Sequence, residues 1–66
     1  MAQALDDLLD SLEDADDATR EEAAKALAEL ANPATLDALI GACGDEFWSV
    51  RTRAGWGVAK IGGPKA

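Results

Sequence analysis

Sixty-six residues carrying a formal net charge of −7 make one domain at most, and a domain this small buries only about 60% of the surface its unfolded chain exposes. The acidic balance opposes phosphate-backbone binding, which depends on Lys and Arg displacing counterions, so nucleic acid is excluded as a partner. One Cys and no His exclude an internal disulfide and the common zinc sites, no apolar run approaches the ~20 residues of a membrane span, and the N-terminus MAQALDDLLD is too acidic for a signal peptide. A soluble protein in a reducing, cytoplasmic setting is the expectation.

Charge is distributed unevenly. Residues 1–33 hold ten acids against Arg20 and Lys25, a net of −8, whereas residues 34–66 hold Asp37, Asp45 and Glu46 against Arg51, Arg53, Lys60 and Lys65, a net of +1. All three aromatic residues, Phe47, Trp48 and Trp56, lie in the second half.

In chain order, Leu5, Leu8, Leu9 and Leu12 recur at i, i+3, i+4 and i+7 and predict a short amphipathic helix. The run DADD follows, with Asp16 as N-cap of a second helix over Asp17 to Ala31. That helix is expected to turn Thr19, Ala23, Ala26, Leu27 and Leu30 inward. Asn32-Pro33 ends it, because the residue before proline avoids the helical region. A third helix is expected around Ala34 to Cys43, a turn at Gly44 to Glu46, and a fourth helix around Trp48 to Ile61 before Gly62-Gly63-Pro64. Cys43 stands where the first half has Leu12 and is read as a small buried hydrophobe.

The plan is written twice. An offset of 31 residues superimposes Leu5 on Leu36, Asp6 on Asp37, Leu8 on Leu39, Asp14 on Asp45, Arg20 on Arg51, Ala23 on Ala54, Ala28 on Ala59 and Pro33 on Pro64. The copies span 1–33, an acidic N-terminal cap, and 34–63, with 64–66 as a tail or the start of a truncated third copy. The fold class expected is all-α: two helical hairpins, four helices. The strings DADDATREEAAKALAEL and DEFWSVRTRAGWGVAKI resemble HEAT-like repeats of the short, 31-residue type found in phycobilisome lyase-like proteins. The resemblance implies an α-solenoid fragment that serves as a scaffold or adaptor. For a minority of that family it implies a role beside bilin lyases or pigment-handling chaperones of light-harvesting proteins.

Four residues are assigned to structural ion pairs, Asp14 with Arg20 and Asp45 with Arg51. An arginine on the first turn of a helix can reach the preceding turn's aspartate bidentately or, in stacked repeats, a neighbour's aspartate. Partner-binding candidates are Trp56 as an apolar anchor, with Thr52, Arg53 and Lys60 around it and Phe47 and Trp48 at the edge, since Trp and Arg are enriched at binding hot spots. Internal packing of Trp56, or of Phe47 and Trp48 over the core, is the competing reading. Gly55 and Gly57 replace alanines of the first copy inside a helix, each costing roughly 0.8–1.0 kcal/mol, and are expected to form a shallow surface that another helix approaches. With no His or Tyr and no base near Ser11 or Ser49, no catalytic site, cofactor or metal is expected. The partner is a protein or a second copy of the chain, a homodimer if the chain is complete.

Overall fold

The computed structural model describes residues 5–62. Helix α1 spans Leu5–Ser11, α2 spans Asp17–Leu30, a 3₁₀ turn covers Pro33–Thr35, α3 spans Leu36–Ala42 and α4 spans Trp48–Gly62. No strand occurs among the described residues. Two hairpins, α1–α2 and α3–α4, stack side by side into a slab of 33 × 29 × 15 Å, and the contact between the long helices α2 and α4 is the main seam.

Each boundary has a local cause. Asp16 sits in extended backbone and its carboxylate accepts from the Thr19 N–H at 3.0 Å and the Thr19 hydroxyl at 2.8 Å, satisfying donors the helix itself leaves open at the start of α2. The other end closes through Ala31, whose φ of 50° is left-handed and whose N–H reaches the Leu27 carbonyl. Asn32 is extended, as a residue before proline must be. Its side chain caps the 3₁₀ turn by accepting from the Ala34 N–H at 2.9 Å. That turn displaces the start of α3 from the expected Ala34 to Leu36, and it buries Thr35, whose hydroxyl donates to the Asn32 carbonyl at 2.7 Å.

The core is small and alanine-rich: Leu8, Leu12, Ala23, Ala24, Leu27, Leu39, Val50 and Ala54, with Cys43, Phe47, Val58 and Ile61 packed against it. Leu27 and Leu39 are its largest sealed side chains. One inward assignment fails. Leu30 is 58% exposed, although Leu27 and Ala28 in the same last turn of α2 are sealed. The two glycines in the interior of α4 also part company. Residues two apart do not share a helix face, and a Cβ at Gly57 would meet Leu39 Cδ1 at 2.9 Å and the Ala28 Cα at 3.2 Å, whereas one at Gly55 would meet nothing within 4 Å. Gly57 is therefore the close-approach point between α4 and α2, whereas Gly55 opens outward.

Candidate interaction surface and inter-repeat clamp

Arg20 is the best-connected side chain described, and its bonds tie the two hairpins together. Nη1 donates to the main-chain carbonyls of Asp14 at 2.8 Å and Ala15 at 3.1 Å, which fixes the plane of the guanidinium. Nε and Nη2 then face the second hairpin and donate to Asp45 Oδ2 at 2.8 Å and Oδ1 at 3.1 Å, a bidentate pair. Nη2 also donates to the Asp17 carboxylate. The expected Asp14–Arg20 carboxylate pair is thus replaced by one that crosses between repeats. Asp14 contributes its carbonyl to Arg20, while its carboxylate accepts from the Asp16 N–H at 2.8 Å and braces the turn.

Asp45 does both jobs at once. Its Oδ1 accepts from the Phe47 N–H at 2.9 Å, bracing the second turn as Asp14 braces the first, and both its oxygens hold Arg20. The Arg20 hydrogen bonds, and secondarily the Phe47 N–H, hold the Asp45 carboxyl below the ordinary carboxylate range. Asp45 in turn holds the Arg20 guanidinium above its ordinary value, against a smaller opposing effect of burial. Arg51 repeats the anchoring half of the motif, with Nη1 donating to the carbonyls of Asp45 at 2.8 Å and Glu46 at 3.0 Å. Its expected carboxylate partner, Asp45, is taken by Arg20.

Trp48, Thr52, Trp56 and Lys60 follow one another at intervals of four and form a continuous ridge along the exposed side of α4. Trp48 is 64% and Trp56 46% exposed. The Lys60 ammonium lies 5.1 Å from the centre of the Trp56 ring, within cation–π range. The other two candidates lie elsewhere. Phe47 is half-buried against the core, and Arg53 leans back across the seam to Glu21 at 3.5 Å. Glu21, Trp48, Ser49, Thr52 and Arg53 together line a shallow cleft between α2 and α4. The bridge from Arg20 to the neighbouring repeat's Asp45 matches the stacked-repeat contact expected of such an arginine, whereas the exposure of Ile40, at 52%, had no direct signal in spacing, because it depends on how the hairpins stack.

With two helical hairpins stacked in register and an Asp/Arg clamp between them, comparison with known families is decisive: a family model described as HEAT repeats matches residues 5–66. The chain belongs to the HEAT-repeat family. No curated protein matches it. HEAT repeats are generally protein-interaction scaffolds and typically non-catalytic. Among the described residues of this HEAT-repeat chain, no group of three or more potential metal ligands converges and no helix is long and apolar enough to cross a membrane.

Proposed function

We propose that this HEAT-repeat chain is a scaffold module that grips a partner protein through the ridge Trp48, Thr52, Trp56 and Lys60 on α4. The observation that carries this reading is the exposure of two indoles on one side of one helix, in a chain small enough to need its aromatic surface for its own core. Tryptophan supplies a large, rigid contact area at low entropic cost and dominates hot spots when a partner desolvates it. Thr52 and Lys60 of the ridge, with Arg53 beside it, replace Glu21, Glu29 and Glu22 of the first copy. The ridge therefore suits acidic or mixed partner surfaces. Phe47 packs against the core instead of joining the ridge.

Affinity capture on the full chain, followed by titration of the captured protein against wild type and Trp56→Ala, tests the reading. Loss of at least about 1–2 kcal/mol of binding with an unchanged circular dichroism spectrum is expected, and equal affinity of the two proteins rejects it. Bilin handling gains nothing from the geometry, since Lys60 already covers one indole and Arg53 is engaged by Glu21. The half-buried Cys43 fits a cytoplasmic chain that keeps its thiol reduced.

A further inference from the structure

Charge changes sign at one place in the fold. Helix α4 carries Arg51, Arg53 and Lys60 and no acid, whereas α1 carries three acids and no base, and α2 four acids against Arg20 and Lys25. The change is concentrated in the first two turns of α4, where Trp48, Ser49, Thr52 and Arg53 stand in the places of Asp17, Ala18, Glu21 and Glu22. Three carboxylates have become an indole, a hydroxyl and a guanidinium, and an alanine has become a second hydroxyl. These four residues line the shallow cleft that faces Glu21 of α2.

The cleft already holds a carboxylate, and holds it loosely. Glu21 Oε2 lies 3.5 Å from Arg53 Nε, longer than a formed N–H···O hydrogen bond, and the two side chains keep 31% and 39% of their surface in water. The pair of Arg20 with Asp45 shows the same chemistry made tight, bidentate at 2.8 and 3.1 Å and nearly sealed. An ion pair as open as that of Arg53 with Glu21 contributes little to stability, so exchanging one carboxylate for another on Arg53 costs little.

We propose that this cleft is a carboxylate-binding subsite, occupied by Glu21 in the free chain and taken over by a Glu or Asp side chain of the partner protein when it docks. The inference rests on the α4 ridge as the docking surface and adds the partner's chemistry at its Trp48 end. Arg53 supplies the charge and a planar donor edge, Ser49 and Thr52 supply hydroxyl donors, and the exposed indole of Trp48 packs on the methylenes of the incoming side chain. A phosphate suits the cleft less well, because Arg53 is the one cation lining it and a dianion would face the Glu21 carboxylate.

Hexaglutamate is the probe, with hexaglutamine as the uncharged control, added to the full chain carrying Trp56→Phe so that emission reports Trp48 alone. Hexaglutamate is expected to shift that emission saturably and hexaglutamine to leave it unchanged. Glu21→Gln, by removing the competing carboxylate, should tighten hexaglutamate binding by roughly two- to fivefold. Arg53→Gln should weaken binding and erase that gain, and Glu29→Gln, which takes the same charge from α2, should change affinity less than Glu21→Gln. No saturable response even with Glu21→Gln, or a gain that survives Arg53→Gln, overturns the proposal. So does a tighter response to inorganic phosphate than to hexaglutamate, or Arg53-dependent sedimentation with phosphatidylserine vesicles, since the occupant is then a phosphate or a lipid surface. Hexaglutamate binding does not require Trp56, whereas binding of a captured partner does, so failure of the subsite and failure of the ridge give different results.

Discussion

Gly55 and Gly57 occupy the same helix, two residues apart, yet substitution by alanine should act in opposite directions. Gly55→Ala adds a methyl into open space and should stabilise the chain by about 0.8–1.0 kcal/mol through helix propensity. Gly57→Ala gains the same propensity, but its Cβ would press on the Ala28 main chain, which cannot swing aside as the Leu39 side chain can. We expect a net loss of stability, read as a lower midpoint in thermal or urea unfolding. A stabilised Gly57→Ala protein would mean that α2 and α4 do not approach closely there. Ala31 offers the reverse case: its left-handed backbone favours glycine, and Ala31→Gly should add about 0.5–1 kcal/mol. Gly55 and Gly57 are visible in the sequence as costly helix residues, but they do not form one outward surface, because positions two apart point to different sides of a helix. The same limit separates Phe47, which turns towards the core, from Trp48, which does not.

At the scale of the elements, each hairpin is locally specified and the contact between hairpins is where spacing alone runs out. The short α1, seven residues long, is below the length at which an isolated helix persists in water, so it depends on α2 being correctly capped. Asp16→Ala should cost about 1 kcal/mol, measurable as a shifted urea midpoint with an unchanged slope. The hairpin positions followed from the 31-residue offset, and the end of α2 from Asn32-Pro33. Leu30, by contrast, fits the inward periodicity and is exposed all the same, because periodicity specifies a direction and says nothing of how completely neighbouring elements cover it. The Asp/Arg motif was legible as residues. A bridge to a neighbouring repeat's aspartate was legible too, but the loss of the Asp14 and Arg51 carboxylate pairings was not, since it depends on Arg20 spending Nη1 on two carbonyls and turning its remaining edge to Asp45. The lowered Asp45 pKa gives this clamp a pH signature. A carboxylate with a depressed folded-state value contributes stability that is complete above its unfolded range, near pH 3.9. That contribution is lost as pH falls through this range and below. Wild type should therefore lose stability on acidification more steeply than Asp45→Asn, and parallel pH profiles would contradict the clamp.

At the scale of the whole molecule, the chain is a slab with unlike ends. The first hairpin presents Asp7, Asp10 and Glu22 to water, whereas the second presents Ile40, Gly55, Ala59 and an Arg51 held by two main-chain carbonyls. The exposed indoles of α4 add a ridge beside that end. This asymmetry follows the charge division between the halves, −8 against +1, and is the physical basis for reading the chain as a module that associates through its second repeat. All of it requires that the two hairpins form one cooperative unit joined through Arg20 and Asp45. The most direct measurement is a double-mutant cycle in urea denaturation with Arg20→Ala, Asp45→Ala and the double variant. The single substitutions should each lower the midpoint by more than the exposed-site control Lys25→Ala, and the double variant should unfold close to the worse single, in one transition. Losses that simply add, or two separated transitions for the hairpins, would contradict it.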